Sequence, residues 1–142
     1  MRFLTRYLTV AAVSMASLAP CWAAVHDDGE PEFRSLFKEL IEINTTHSAQ
    51  ACTRAAEAMR ARLVAAGIAP SDMQIVAPDD RPQEGALIAT LHGSDPRAKA
   101  VLLLAHLDVV EAKPEDWQRD PFKLVEEDGW FYARGATDDK RQ

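Results

Sequence analysis

The sequence predicts an α/β fold, in which a mixed sheet is flanked by helices. Two helical stretches come first, in residues 31–44 and 48–67, and several short strand candidates follow them. One candidate, residues 100–107, is an apolar run broken only by His106 near its end. A continuous apolar run is typical of a strand that is covered on both faces, so helices are expected on both sides of the sheet.

The first helix is predicted from its spacing of apolar side chains. Pro31 suits the first turn, where a missing N–H costs little. The apolar positions then recur every three or four residues and form one stripe. They are Phe33, Leu36, Phe37, Leu40 and Ile41. The helix is expected to end near Asn44.

The second helix has both a start and a stop signal. Ser48 is the predicted N-cap, and Gly67 stands where a C-terminal glycine belongs. Cys52 falls on the apolar face of this helix. We therefore predict that Cys52 is a buried structural thiol and not a reactive one.

The remaining chain contains strand and turn signals. Strands are predicted over 73–76 and 86–91, separated by a polar loop at 78–85, and then over 100–107. Residues 122–126 and 130–133 flank Asp128-Gly129, which is a strong signal for a β-hairpin.

The N-terminal residues have the order of a secretory signal. Arg2 and Arg6 precede an apolar run over 8–19, and small residues follow. We predict cleavage after Ala23, so that residues 1–23 are the signal peptide and the protein is secreted or periplasmic. A membrane anchor is the alternative, but the run is shorter than the ~20 residues of a bilayer span. Lipoprotein anchoring at Cys21 is a further alternative, disfavoured by the proline before it.

The charge of the chain excludes one class of partner. The formal net charge is −6, and no run of lysine or arginine stands out. Nucleic-acid binding requires a basic face that neutralises phosphates. We therefore expect no nucleic-acid partner, and no stable membrane span.

Two pairs of residues suggest metal chemistry. In a strand, His106 and Asp108 would share a face at a spacing of roughly 6.5 Å, at the carboxyl end where ligand sites form. Imidazole is a zinc ligand, and a carboxylate can orient it. Asp138 and Asp139 repel each other unless a cation screens them. Taken alone, each pair is a weak signal: a strand end with a solvated aspartate is the favoured interpretation of His106 and Asp108, and Asp138 and Asp139 also fit an acidic loop. His26, His47 and His92 are not proposed as ligands, and His92 has no carboxylate at a useful spacing in the sequence.

Taken together, the motifs over 101–140 resemble the M20 family of metallopeptidases. The family includes glutamate carboxypeptidases, dipeptidases, aminoacylases and N-acyl amino-acid deacylases. The resemblance extends more loosely back to Phe33 through Ile43-Asn44-Thr45-Thr46. The motifs that carry it are His106-Leu107-Asp108, then Trp117, Asp120, Pro121 and Phe122, then Asp128, Gly129, Tyr132, Arg134, Gly135, Ala136, Asp138, Asp139 and Lys140.

The resemblance implies a role for each matched residue. His106 matches a zinc ligand, and Asp138 matches the carboxylate that bridges two zinc ions. Asp108 matches the catalytic-site aspartate that orients the histidine, and Asp139 follows the bridging position. The implied cofactor is zinc, two ions per complete site, with cobalt or manganese as substitutes. Positions assigned to loop shape are Arg134, Gly135 and Lys140.

The resemblance also implies the reaction, which is hydrolysis of an amide by metal-activated water. The expected substrates are small peptides or N-acyl amino acids. Arg141 replaces the glycine that is usual in the family. The general-base glutamate, the remaining ligands and a lid domain are expected after Gln142, so residues 24–142 are predicted to be the N-terminal part of a zinc-hydrolase catalytic domain. We expect this part alone to bind zinc weakly and to be inactive, and we expect a homodimer only for the full-length protein.

Two alternatives to this function were weighed. One is the related M28 class of aminopeptidases, which shares the co-catalytic zinc chemistry. The other is a degenerate, truncated product without catalytic function. The segment Trp117–Phe122 and the motif Arg134–Lys140 favour the M20 family over the M28 class.

Overall fold

The computed structural model describes residues 29–138 and 140–141. The predicted signal peptide with its cleavage site, Cys21 and Asp139 lie outside the described residues. Helices and strands are both present in the described part, which confirms the predicted mixed α/β character. None of the helices in these residues has the length and apolar character of a membrane span.

The first helix, α1, spans Glu30–Glu42 and agrees with its predicted pattern. Pro31 lies in its first turn, and the buried positions are Phe37, Leu40 and Ile41. Phe33 stacks on Phe37 with ring centroids 5.7 Å apart, but it stays 47% exposed. The apolar periodicity therefore identified the helix and its buried face, while Phe33, at one end of the apolar stripe, remains at the surface.

The second helix, α2, spans Cys52–Ala65, so the predicted start was wrong. Its N-cap is Ala51, and no side chain caps the helix there. Ser48 instead donates from its backbone N–H and its hydroxyl group to the carboxylate of Glu111, each at 2.9 Å. A carboxylate acceptor makes a stronger hydrogen bond than a neutral one, which explains why Ser48 is drawn away from α2. The predicted C-terminal end is confirmed, because Gly67 follows the helix and the Ile68 N–H bonds to Leu63 O at 3.0 Å.

Within the described residues, four strands form two separate antiparallel pairs. Strands β1 (Met73–Val76) and β2 (Ala86–Ala89) pair with Met73 opposite Ala89. Strands β3 (Val125–Glu127) and β4 (Trp130–Tyr132) form the predicted hairpin, with Val125 opposite Tyr132. Asp128 and Gly129 have φ angles of 52° and 77°, as a type I′ turn requires.

The predicted strand over 100–107 is not formed, and this expectation was wrong. Residues 101–108 have no regular secondary structure. Val101, Leu102, Leu103 and Leu104 are 78–87% exposed. A strand buried on both faces needs hydrogen-bonding partners at its edges and helices above and below. Within the described residues, the two hairpins pair with themselves and supply none of these partners.

The core is built where each helix meets a hairpin. Phe37 of α1 meets Phe131 of β4 edge to face, with ring centroids 5.5 Å apart. Arg34 lies over the same ring at 5.3 Å and pairs with Glu126 of β3 at 2.6 Å. On α2, Ala55 and Ala56 are fully buried, and the helix contacts both β1 and β2. The α1 contact positions β4, which leads into the loop that contains Asp138.

Candidate metal centre

His106 and Asp108 are held in place by the segment that follows α1. The Thr45 hydroxyl donates to Leu107 O at 2.6 Å, and the Val109 N–H donates to Thr45 O at 3.2 Å. Thr46 and Val109 form an isolated parallel bridge. Thr45 and Thr46 are 0% and 2% exposed, so these bonds are shielded from water. Leu107 and Val109, the residues on both sides of Asp108, are thereby held without a surrounding sheet.

A turn at Asn44 and the carboxylate of Glu111 support the contact between Thr45 and the His106 segment. The Asn44 side-chain oxygen accepts from the backbone N–H of Thr46 at 3.0 Å and from its hydroxyl at 2.8 Å. An asparagine that closes such a turn preorganises the backbone. The backbone N–H of Ser48, and then its hydroxyl, lower the pKa of the Glu111 carboxyl group. Ser48 and Glu111 are 63 positions apart, and no sequence pattern indicates that they pair.

Asp138 is carried by a loop that follows β4. The Arg134 N–H donates to Pro121 O at 2.8 Å, and its guanidinium group lies 5.1 Å from the centroid of Trp117. The Lys140 N–H donates to Gly135 O at 3.2 Å and closes the loop. The expectation that Arg134, Gly135 and Lys140 shape the loop agrees with these contacts. We call residues 134–140 the motif loop.

The structure brings the three site residues from the sequence analysis together. His106 Nε2 lies 3.1 Å from Asp138 Oδ1. On the other side of the ring, Nδ1 lies 2.9 Å from the backbone oxygen of Asp108 and 3.5 Å from its carboxylate. The three residues meet at the motif loop. The expected location was the carboxyl edge of a sheet, and the strand that would have formed this edge is absent from the described residues. The side chain of Asp138 is 89% exposed and that of His106 is 45% exposed, so the pair is open to solvent.

The contacts of the imidazole ring assign a role to each nitrogen. Nδ1–H can donate to the Asp108 carbonyl, and in that tautomer Nε2 presents its lone pair to Asp138. An imidazole lone pair and a carboxylate oxygen at 3.1 Å need a cation between them, either a proton or a metal ion. Two donors bound to one tetrahedral zinc ion by bonds of ~2.0–2.1 Å lie about 3.3 Å apart. The observed separation fits two ligands of a single ion.

Comparison with known proteins identifies the segment that carries these residues. Residues 102–142 match the family model described as Peptidase family M20/M25/M40. This segment of the chain belongs to the M20 family of peptidases. His106, Asp108 and Asp138 all fall within the matched segment.

Individual M20 relatives extend the match further. Beta-Ala-His dipeptidase of Mus musculus is 33% identical over 123 residues, which is 84% of this chain and 23% of that protein. N-fatty-acyl-amino acid synthase/hydrolase of Homo sapiens is 47% identical over 58 residues, 41% of this chain and 12% of that protein. Cys-Gly metallodipeptidase of Schizosaccharomyces pombe is 51% identical over 51 residues, 34% of this chain and 11% of that protein. The chain thus spans less than a quarter of the length of the curated relatives it matches.

The described part of this M20 chain offers two metal donors. Across residues 29–138 and 140–141, no group of three or more His, Cys, Asp or Glu side chains is arranged to hold an ion. His106 and Asp138 border a cleft of about 260 Å³, whose other lining residues are Asp108, Val109, Val110, Ala133, Arg134, Gly135, Ala136 and Thr137. The donor types and their spacing fit a divalent ion, and any third protein ligand has to come from outside the described residues.

His47 and His92, the other two histidines in the described residues, pair with carboxylates at the surface. His92 Nε2 lies 3.3 Å from Asp72, so the expectation that His92 has no carboxylate at a useful spacing was wrong. The antiparallel β1–β2 pairing brings these residues together, with the Thr90 N–H bonded to Asp72 O at 2.8 Å. His47 lies 3.4 Å from Glu84. With side chains 72% and 84% exposed, neither histidine resembles a shielded ligand.

Cys52 is only partly buried, which differs from the predicted full burial. Burial, and then the charges of Asp108 and Glu84, raise the pKa of its thiol group. A raised pKa lowers the thiolate fraction and hence the reactivity of the thiol. This environment agrees with the structural role that was predicted.

Proposed function

We propose that this chain is the N-terminal part, residues 24–142, of the catalytic domain of a zinc-dependent amide hydrolase. One observation carries the proposal: His106 Nε2 and Asp138 Oδ1 lie 3.1 Å apart, while Asp108 occupies the other ring nitrogen. Membership of the M20 family supports hydrolysis as the chemistry.

The three site residues have different proposed roles in metal binding. Family membership implies a divalent ion, and the mixed nitrogen and oxygen donors favour zinc. His106 and Asp138 would hold it, and Asp108 would fix the tautomer and orientation of the imidazole ring. Bound there, the ion would polarise an amide carbonyl and lower the pKa of water to about 7. Because Asp108 is engaged with His106, it is not available as the general base.

The proposed substrates are small peptides or N-acyl amino acids. The names of the relatives support this class, since they describe dipeptidases and an N-fatty-acyl-amino acid synthase/hydrolase. All three names involve an amide bond next to an amino acid. The open position of Asp138 at the cleft leaves room for such a substrate to approach.

The test is an amidase assay with and without metal. The protein encoded by the whole reading frame should hydrolyse dipeptides or N-acyl amino acids. A chelator should abolish the activity, and added zinc should restore it. The 142-residue chain assayed in parallel should show no measurable turnover, because the two donors in its described residues do not complete a metal site and the proposed general base is absent. Full activity in the presence of chelator would contradict the proposal.

We further propose that the protein is exported. The basic start, the apolar run and the small residues before Ala24 support this proposal. Mass spectrometry of the protein isolated from its native cells should find a mature N-terminus at Ala24. An intact Met1 on a cytoplasmic product would refute export, and a lipid-modified Cys21 would replace signal cleavage after Ala23 by lipoprotein anchoring.

A further inference from the structure

We infer that Lys140 is a positioning residue, which sets Asp138 opposite His106 by fastening the motif loop to the C-terminal end of α1. The inference deepens the proposed function and rests on it, because it concerns the geometry of the same two donors. It assigns a specific mechanical task to a lysine that the sequence analysis connected only with loop shape.

The Lys140 side chain is buried and bound at the end of α1. It is 5% exposed, and its ammonium group donates to Leu40 O at 2.8 Å and to Ile43 O at 2.9 Å. The last carbonyls of a helix have no partner within the helix and carry its partial negative charge. The last turn of α1 contains no basic residue of its own. Lys140, nearly a hundred positions away in sequence, supplies the missing cation.

The lysine stem also packs inside the loop. A Cβ placed on Gly135 would lie 3.3 Å from Lys140 Cδ and 2.8 Å from Val109 Cγ1. Gly135 is therefore enclosed between the lysine stem and the segment that carries His106. Since Lys140 N–H also bonds to Gly135 O, the loop is held both by its backbone and by its side chain.

Both metal donors are consequently fixed to the same short stretch of chain. Residues 40–43 hold the motif loop through Lys140, and Thr45 holds the His106 segment through Leu107 and Val109. Only Asn44 lies between these anchors. The end of α1 and the turn after it therefore hold the backbone segments that carry His106 and Asp138, and the 3.1 Å contact between the two side chains depends on that placement.

The same geometry argues against a direct chemical role for Lys140. Burial lowers the pKa of its ammonium group to about 8, which is near the range of a lysine base. However, its amino group is bound to the α1 carbonyls, and Lys140 does not line the cleft at His106 and Asp138. Its effect on the site is therefore indirect.

The test compares three variants of the full-length protein by zinc titration calorimetry. Lys140→Met keeps the stem and removes the charge, Lys140→Arg keeps the charge, and Lys123→Met is the control at an exposed lysine. Residues that orient metal ligands are worth about 10–100-fold in affinity. We expect Lys140→Met to weaken zinc binding about tenfold or more, Lys140→Arg to restore most of the loss, and Lys123→Met to match the wild type.

Hydrogen exchange of the metal-free proteins gives a second readout that does not depend on zinc. Lys140→Met should accelerate exchange in peptides covering 133–141, while peptides covering 73–89 should keep wild-type rates. If the wild type binds no zinc but Lys140→Met still accelerates exchange in this region, the proposed function is refuted and the anchoring by Lys140 is supported. Unchanged zinc affinity in Lys140→Met, or loss equal in Lys140→Met and Lys140→Arg, would overturn the inference.

Amine labelling of the wild type covers the case in which Lys140→Met does not fold. The buried amino group of Lys140 should react far more slowly than those of the exposed Lys99 and Lys123. Slow labelling would support the anchor in the unmodified protein. Labelling of all three lysines at one rate would show that the anchor is absent.

Discussion

Replacing His106 by alanine is expected to lower zinc affinity on the order of 100-fold or more, because even outer partners of a ligand are worth 10–100-fold. His106 contributes the nitrogen donor that lies 3.1 Å from Asp138 Oδ1. Its removal leaves Asp138 as the donor that the described residues contribute, and the site loses its nitrogen ligand at this position. Zinc titration calorimetry of the full-length protein measures the change, and turnover of the amide substrate should disappear with it.

The matched control for this experiment is His92→Ala. His92 is also a histidine paired with an aspartate, at 3.3 Å from Asp72, but it lies on the β1–β2 hairpin. Its removal should leave zinc affinity and turnover at wild-type values. A loss as large in His92→Ala as in His106→Ala would mean that the metal does not bind at the motif loop.

Replacing Gly135 by alanine is expected to lower the free energy of unfolding by about 2–5 kcal/mol, from backbone strain of ~1–2 kcal/mol and steric overlap of ~1–3 kcal/mol. Gly135 has a φ angle of +83°, which side chains other than glycine rarely adopt. An added Cβ would also lie 2.8 Å from Val109 Cγ1, closer than carbon atoms approach without displacement. Chemical denaturation measures the loss of stability.

Gly129→Ala separates the two contributions. Gly129 has a similar φ angle of +77°, but nothing lies within 4 Å of an added Cβ. This variant should lose only about 1–2 kcal/mol, the strain contribution alone. Gly135→Ala should in addition weaken zinc binding, because displacement of Val109 moves the segment that carries His106. Equal destabilisation in the two variants would show that the close approach to Val109 is not present.

Local patterns in the sequence were sufficient for the helices and for one hairpin. The apolar stripe of α1 and the Asp128-Gly129 turn depend on interactions within a few residues, so their signals are complete in the sequence. The pattern over 100–107 failed for the opposite reason. Its apolar side chains indicate burial, but burial requires partner strands and covering helices, and the described residues do not provide them.

In the candidate site, too, local features could be predicted from the sequence and contacts between distant residues could not. The sequence by itself determined the chemical types of the donors, the proximity of His106 to Asp108, and the family motif that contains Asp138. Only the tertiary structure decided that Asp138 lies 3.1 Å from His106, that Ser48 binds Glu111, and that the ammonium group of Lys140 donates to a carbonyl at the end of α1. These contacts join residues 32, 63 and 100 positions apart. Such contacts leave no periodic signal in the sequence, because the intervening chain can close the same distance in many ways and only the packed fold selects one of them.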